Sequence, residues 1–328
     1  MNHLDTYHQL VNRADDTRHR HPARALDLAL EARDVAARLD NTDHDTWIEA
    51  QTIAWSVVAS AYRNVGRLDD AEAAMVVAIG FHEQRHEPCP RLAARLMQRA
   101  AYVRADQERL DEALELIDVA VSTYRDLDAA NPLATAIIDR GVLLGRAGRP
   151  RHAIAAFNEA LDTHAHALDD RARLAAIHNL AVHLHEIAAD TESRREADRW
   201  LELAWHAHAE HPETVGLLKL RGLCALAALR HGDHERAIEE LWAACDGFAR
   251  LGDHRQQTLF LIDLAVIHAE RHDFEGLNKV ATACFLLLRS RDDHDDEATA
   301  TALLRLARAI ATGTPSQDEL RQAATYLE

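Results

Sequence analysis

The chain has little of what marks several common protein classes. Its 328 residues include 12 Gly and 7 Pro, few for a chain long enough to form two domains or one elongated array. Aromatic residues make up only 5%, and no segment combines them with many β-branched residues, so nothing favours a β-sheet. The longest apolar run, Val280–Leu288, is far shorter than the ~20 residues that cross a bilayer, so no membrane partner is expected.

Targeting signals, paired cysteines and excess positive charge are missing as well. The segment Met1–Asp5 has neither the basic nor the apolar region of a signal peptide, which predicts a cytoplasmic protein. Its cysteines are scattered without a CxxC spacing, which predicts reduced thiols: Cys89, Cys224, Cys245 and Cys284. With 54 acidic and 37 basic side chains the formal net charge is −17, and such a surface repels phosphate backbones. Nucleic acid is therefore not an expected partner.

A short helical phrase is present instead, and residues 55–78 show it best. A large residue, a small one and an aromatic one recur at helical spacing: Trp55, Ala59 and Tyr62. A glycine, Gly66, follows as a turn, and the next segment places Ala71, Met75 and Ala78 on one face. Small residues let two helices approach closely while larger ones fill the gaps, so the phrase predicts a helical hairpin.

The phrase returns in phase along the chain. Full copies contain Gly141, Leu144, Gly148, Ala153, Phe157 and Ala160, and Ala225, Ala228, Gly232, Ala237, Leu241 and Ala244. Weaker copies contain Ala101, Arg104, Glu108, Ala113, Ile117 and Ala120; Leu180, Ala181, Ala197, Leu201 and Ala204; and Leu264, Ala265, Leu277, Ala281 and Cys284. The anchors of the second helices fall at 71, 113, 153, 197, 237 and 277, which is a spacing of about 40 residues. Self-similarity at such a period is typical of helical repeat arrays.

The array extends to both ends of the chain. We predict one continuous array over residues 1–328, with an N-terminal hairpin at 1–40, central repeats at 44–290 and a capping hairpin at 296–328. That makes about eight hairpins in an all-α fold. The prolines fall at predicted helix boundaries, and Asn131-Pro132 reads as an N-cap followed by a first helical residue. Ser193-Arg-Arg-Glu196 has the spacing of a capping box.

These residues resemble the tetratricopeptide repeat, whose signature is W-x2-L-G-x2-Y followed by A-x3-F. The match is best at Trp55, Val58, Ala59, Tyr62, Gly66 and Ala71. The ~40-residue period resembles the long-repeat branch, which includes kinesin light chain, LGN-type adaptors and bacterial peptide-sensing regulators. The resemblance implies a right-handed superhelical solenoid whose concave groove, lined by the first helix of each hairpin, receives a protein or peptide. It also implies that Asn179, in the phrase Asn-Leu-Ala, hydrogen-bonds the backbone of a bound peptide.

Helical phasing places a set of polar side chains in the implied groove: Arg63, Asn64, Arg95, Gln98, Arg99, Tyr102, Asp139, Arg146, His178, Asn179 and His185. Two interpretations of its arginines are open. Arg95, Arg99 and Arg146 could receive an acidic or phosphorylated segment. Alternatively, the arginines pair with Asp106, Asp139 and Glu186 inside the groove. The lysines of the chain are Lys219 and Lys279, too few for a lysine-based clamp on a C-terminal carboxylate.

One motif raises the question of metal chemistry. His82-Glu83-Gln84-Arg85-His86 is a literal HExxH, which in zinc proteases places two histidine ligands on one helical face. Arg85 would set a cation beside the metal, Pro88 ends the helix at once, and no third ligand is indicated. The dipeptide His44-Asp45 resembles part of the HD phosphohydrolase motif, but it is too short to carry weight. We therefore predict no catalytic residue, no metal site and no cofactor.

Three functions follow, from different classes. The leading one is a non-enzymatic scaffold or adaptor that holds a protein or peptide in the groove. The second is a sensor or regulatory subunit that binds a signal peptide or small ligand and controls a separate effector. A metal-dependent hydrolase using His82, Glu83 and His86 is the third. A homodimer through the terminal hairpins is also open.

Overall fold

The computed structural model describes residues 3–18, 21–39, 43–209 and 215–290, which form α-helices and no β-strand. Helices in the first half are α1 (His3–Thr17), α2 (Pro22–Ala37), α3 (His44–Asn64), α4 (Leu68–His82), α5 (Pro90–Asp106), α6 (Leu110–Asp126), α7 (Ala130–Arg146) and α8 (Pro150–Asn158). A π-helical turn (Glu159–Thr163) and a 3₁₀ turn (Ala165–Ala167) follow α8. The later helices are α9 (Asp170–Ile187), α10 (Thr191–Ala209), α11 (Val215–Arg230), α12 (His234–Leu251), α13 (His254–Glu270) and α14 (Phe274–Ser290). The predicted all-α fold class is confirmed, and none of these described helices is both long and apolar enough to cross a membrane.

The chain divides into two compact units, Met1–His183 and Leu184–Glu328. In the first unit α1 packs on α2, α3 on α4, α5 on α6 and α7 on α8. In the second unit α11 packs on α12 and α13 on α14. Consecutive helices thus form the hairpins that the repeat predicts. One continuous array over residues 1–328 stays a prediction, and the predicted capping hairpin at 296–328 lies outside the described residues.

The repeated small residues are the closest contacts within the hairpins. The second-helix anchors are fully buried: Ala71, Ala113, Ala153, Ala197 and Ala237. Larger side chains four residues further on are buried beside them and fill the space between helices: Met75, Ile117, Phe157 and Leu241. At Gly141 the approach is so close that a Cβ atom would lie 2.7 Å from Cε1 of Phe157. The pattern of small and large residues therefore corresponds to interlocking helix surfaces.

The hairpin turns share one backbone conformation at the same place in the phrase. A residue with left-handed φ stands at Gly66 (76°), Glu108 (61°), Gly148 (66°), Gly232 (76°) and His272 (53°). After each of them, the next residue donates its N–H to a carbonyl five positions earlier, as Arg67 does to Tyr62 at 3.0 Å and Arg109 to Arg104 at 2.9 Å. This is the hydrogen bond of a Schellman helix end, which satisfies a carbonyl that the helix leaves unpaired. Glycine favours the conformation, but the position in the phrase imposes it on Glu108 and His272 too.

Two predicted helix starts are wrong by a few residues. The helix α7 begins at Ala130, so Asn131 is not its N-cap and Pro132 stands within the first turn, where its missing N–H costs nothing. The helix α10 begins at Thr191, so Ser193 is not its cap either. The carboxylate of Asp190 takes that role and accepts the N–H groups of Glu192 at 2.9 Å and Ser193 at 2.8 Å. An aspartate just before the helix satisfies two free N–H groups at once.

The second helix of the full copy that contains Gly141 is interrupted. The phrase predicts one helix through Ala153, Phe157 and Ala160, yet α8 ends at Asn158 and Ala160 lies in the π-helical turn. A π-helical turn accommodates one more residue than an α-helical turn. Ala160 remains fully buried. The contact that the phrase encodes is therefore kept although the regular helix is not.

Candidate binding surface

The first helices of the hairpins in the first unit bring a set of polar side chains together. We call this set the first-helix surface: Asp15 of α1; Ser60, Arg63 and Asn64 of α3; Arg95, Gln98, Arg99, Tyr102 and Asp106 of α5; Asp139 and Arg146 of α7. All of its members except Arg95 belong to three bonded clusters, each of which joins two or three helices. These clusters contain most of the residues that helical phasing places in the implied groove.

The first cluster is centred on Asp106. Its carboxylate accepts from Arg63 of α3 at 2.9 Å and from Arg146 of α7 at 2.5 Å, so one acid joins three helices. Arg146 also donates to the carbonyl of Ala105 at 2.7 Å, and the Arg63 guanidinium lies 5.1 Å from the ring centroid of Tyr102. Of the two interpretations of the groove arginines, pairing with acids inside the groove is the one that Arg146 follows, since it pairs with Asp106. Two cations around one carboxylate leave a net positive charge here.

The second cluster surrounds Asp139, a largely buried carboxylate. Tyr102 donates its hydroxyl to Asp139 at 2.7 Å, and the side-chain amide of Gln98 donates to the other carboxylate oxygen. Burial raises the pKa of Asp139, and these two hydrogen bonds oppose the rise. Burial and the adjacent carboxylate raise the pKa of Tyr102 well above its usual value. Asp139 therefore has neutral partners from α5 and not the arginine partner that the sequence suggests.

The third cluster joins α5 to the first hairpin. Arg99 donates to Asp15 at 3.1 Å and to the hydroxyl of Ser60 at 3.3 Å, so its side chain reaches across α3 to α1. Burial lowers the pKa of Arg99 to about 10, while Asp15 opposes the change. The sequence does not predict Asp15 as a partner, because helix periodicity gives the face on which a residue lies but not its contact with an arginine 84 residues further along the chain.

Two hydrogen-bond donors of this surface are left over. Within the described residues, Arg95 forms no hydrogen bond and no ion pair, although it lies one helical turn from Arg99. Its charge and those of Arg91 and Arg99 oppose the rise that burial causes in the pKa of Tyr124. Asn64 accepts from Arg63 at 3.0 Å, but its own Nδ2 is buried without an acceptor among the described residues. A buried donor without an acceptor is costly, whereas the half-buried Arg95 is still open to a ligand.

The remaining groove candidates lie in α9 and do not form one cluster. Asn179 donates its side-chain amide to Ala175 of its own helix at 2.8 Å, and His178 is half-buried beside it. His185 belongs to the second unit, where Arg230 lies 3.0 Å from its Nδ1 and Asp198 lies 3.7 Å from its Nε2. Burial, and then the charge of Arg230, lower the pKa of His185. The peptide-gripping role of Asn179 stays a prediction.

The HExxH sequence does not form the helical arrangement of a zinc protease. The helix α4 ends at His82, and Glu83 is its C-cap, so His86 stands in the following loop. His82 and His86 therefore do not share a helical face, as two ligands of that motif must. Burial lowers the pKa of His82, and Arg85 lowers it further. Pro88 lies in the same loop, and Pro90 begins α5.

A second surface, which the sequence does not predict, is an apolar groove of about 410 Å³ in the first unit. It lies between the second helices α4 and α6, with α5 as its floor. Its apolar lining includes Met75, Val76, Ile79, Met97, Leu116 and Val119. Val76 and Val119 are 60% and 47% exposed, and Glu72, Glu112 and Glu115 stand at the edge. Exposed β-branched residues on second helices are the signal that could have indicated it.

Comparisons with known proteins show the fold. No family model matches the chain, and no curated protein matches it. Among solved structures, a Rap protein complexed with competence and sporulation factor superposes with a TM-score of 0.66 at 11% identity, covering 98% of this chain and 86% of that one. A signal transduction ATPase with a tetratricopeptide repeat sensor, from Pyrococcus horikoshii, gives 0.64 at 12% identity, covering 94% of this chain and 46% of that one. The apo quorum sensor NprR from B. thuringiensis gives 0.61 at 10% identity, covering 98% and 87%.

Proposed function

We propose that this chain, which has the tetratricopeptide-type fold, is a non-enzymatic receptor for an acidic protein segment or peptide on its first-helix surface. The observation that carries the proposal is Arg95, which has no hydrogen bond and no ion pair within the described residues, while the side chains around it, such as Arg99, are bonded to each other. Binding surfaces of this fold recognise ligands through side chains of the first helices, as the resemblance implies. The proteins that share the fold include one complexed with competence and sporulation factor and one named as a quorum sensor.

Charge favours an acidic ligand. The chain as a whole carries −17, yet Arg91, Arg95 and Arg99 follow one another every four residues on one face of α5. Arg99 is paired with Asp15, whereas Arg95 has no carboxylate partner among the described residues. A carboxylate of a ligand would accept a charge-assisted hydrogen bond from Arg95. It could also accept from two nitrogens of the guanidinium at once, as a bidentate pair.

The sensor alternative is supported by the shared carboxylate of Asp106. Because Arg63 and Arg146 both bond to it, a ligand that takes either arginine alters a contact that joins α3, α5 and α7. A ligand can shift a conformation only when it interacts differently with the two states. A ligand that competes for either arginine would meet that requirement, since it would bind only where the contact with Asp106 is broken. The proposed sensor would act on a separate effector protein.

The test is a selection from a random display library of twelve-residue peptides against the full chain. We expect the selected peptides to be rich in Asp and Glu. The change Arg95→Glu should weaken their binding at least tenfold, which corresponds to ~1.4 kcal/mol, because it sets like charges against each other. Fluorescence anisotropy with labelled peptides measures the affinities.

The matched control is Arg24→Glu. Arg24 is an exposed arginine on the second helix α2, and among the described residues its guanidinium pairs only with Asp27, at 4.0 Å. It changes the net charge equally, so it should leave the affinity unchanged. Equal binding to wild type and Arg95→Glu, or peptides without acidic enrichment, would contradict the proposal. Loss of binding in Val119→Asp, with Arg95→Glu unaffected, would assign the site to the apolar groove instead.

A further inference from the structure

Two separate segments of the second hairpin meet beside the start of α3. The carboxylate of Asp45 accepts the N–H of His86 at 2.9 Å and the N–H of Glu87 at 3.0 Å. Arg85 donates to the backbone carbonyl of Asp45 at 2.9 Å, and a nitrogen of His44 lies 3.3 Å from the carbonyl of Gln84. Four contacts therefore hold the loop after α4 against the first turn of α3, and they fix the positions of the side chains between the two segments.

Three potential metal ligands converge at this junction. The donor atoms of His44, Asp45 and His86 all lie within 4.8 Å of one another. The two imidazole rings are 4.5 Å apart between centroids, and Nδ1 of His86 is 3.7 Å from Oδ1 of Asp45. Bond lengths of ~2.0–2.2 Å in a tetrahedral zinc site place ligand atoms about 3.3 Å apart. The donor atoms must therefore approach one another by up to about 1.5 Å, through rotation of their side chains, to reach coordinating positions.

The chemistry of the donors selects the ion. Two imidazole nitrogens and one carboxylate oxygen are a donor set that suits zinc and similar divalent first-row metals, whereas calcium and magnesium prefer oxygen ligands. The backbone N–H groups of His86 and Glu87 orient the carboxylate of Asp45, as outer hydrogen bonds do in metal sites. One of the three ligands is therefore already oriented by the fold itself.

The local charge also favours a cation. Arg85, which argues against a metal when read in the sequence, lies 3.2 Å from Glu49 and 3.9 Å from Asp45 and is therefore neutralised by carboxylates. Asp43, the N-cap of α3, accepts the N–H of Asp45 at 3.3 Å and offsets the positive end of that helix. With Glu87 in the loop, four carboxylates stand against one guanidinium, and a divalent cation reduces that excess of negative charge.

We propose that His44, Asp45 and His86 bind one divalent transition-metal ion of the zinc class. The fourth position faces solvent, because the side chain of His86 is 76% exposed. The site takes one histidine from the HExxH sequence and none of its helical geometry. A bound ion links the start of α3 to the loop after α4 and so ties together the two ends of the second hairpin.

The experiment titrates the full metal-free chain with Zn²⁺ by calorimetry and with Co²⁺ by visible absorption, in a buffer that does not bind metals. We expect one equivalent of Zn²⁺, and a Co²⁺ spectrum of four-coordinate character. His44→Ala and His86→Ala should each weaken this site at least tenfold. His82→Ala is the matched control, because it removes the other histidine of HExxH and should leave the affinity unchanged.

A second measurement keeps the result clear of folding effects and of background binding by the other histidines. Zn²⁺ should raise the unfolding temperature of wild type and His82→Ala, and should raise that of His86→Gln much less. Circular dichroism shows whether each variant is folded. No stoichiometric binding, equal binding in His44→Ala and His86→Ala, or loss in His82→Ala would each overturn the proposal.

Discussion

Gly141 and Gly80 are both helical glycines, yet replacing each of them with alanine should change stability in opposite directions. At Gly141 in α7, a Cβ atom would lie 2.7, 2.8 and 3.0 Å from three ring atoms of Phe157. The ring is fully buried, and it stacks on His183 with 6.0 Å between the centroids and an interplanar angle of 9°, so other side chains enclose it. At Gly80 in α4, nothing lies within 4 Å of the added atom.

The magnitude follows from two opposing effects. Alanine in a helix interior is favoured over glycine by ~1 kcal/mol, which applies at both positions. At Gly141 the ring must retreat by about 0.7 Å to reach ordinary contact, and overpacking of this kind costs ~1–3 kcal/mol. We therefore expect Gly141→Ala to destabilise by about 1 kcal/mol and Gly80→Ala to stabilise by about 0.5–1 kcal/mol.

Urea unfolding followed by far-ultraviolet circular dichroism measures both variants against wild type. The midpoints should move in opposite directions while the slopes stay equal, so that the shifts report stability alone. A Gly141→Ala variant as stable as wild type would refute the reasoning, because the α7–α8 contact would then have room that the structure does not show. Destabilisation by Gly80→Ala would contradict it equally.

The remaining predictions concern backbone strain and pH. Glu108→Gly should stabilise the chain by about 1 kcal/mol in urea unfolding, because glycine adopts the left-handed φ of 61° without the penalty of a side chain; a loss of stability would contradict this. The folded state lowers the pKa of His185, so the unfolded state binds the proton more readily, and stability should fall as pH drops below 6.5. His185→Gln should make that decline in stability smaller, and an unchanged dependence of stability on pH would contradict the assignment to His185. The folded state raises the pKa of Asp139 above 3.8, so wild-type stability should fall as pH rises through the folded value. The stability of Asp139→Asn relative to wild type should therefore increase as pH rises, and a relative stability that decreases would refute the stated cause.

The fold could be predicted from the sequence because its determinants are local and repeated. A buried alanine, a large residue four positions later and a turn five positions earlier recur together, and each of them acts on the hairpin that contains it. The phase even assigns a left-handed turn to Glu108, where no glycine signals it. Six copies in phase thus compensate for the weakness of each single copy.

The bonding of the candidate surface could be predicted only in part. Helical phasing placed Arg63, Arg99 and Tyr102 on the first helices, but the partner of Arg99 is Asp15, far away in the chain. A periodic pattern contains no information on which side chains of non-adjacent helices meet. The same limit explains why the sequence does not predict the proposed zinc-class site, since His44 and His86 come from two motifs that each carry little information alone.

The carboxylate of Asp106 gives the first-helix surface a mechanical property. One acid keeps three helices at a set spacing through two arginines, and each of those bonds exchanges readily with a competing anion. A ligand that captures both arginines must hold α3, α5 and α7 together itself or let them separate. Ligand binding would then change the spacing of neighbouring hairpins, so that the surface would convert occupancy into a conformational change as well as bind the ligand.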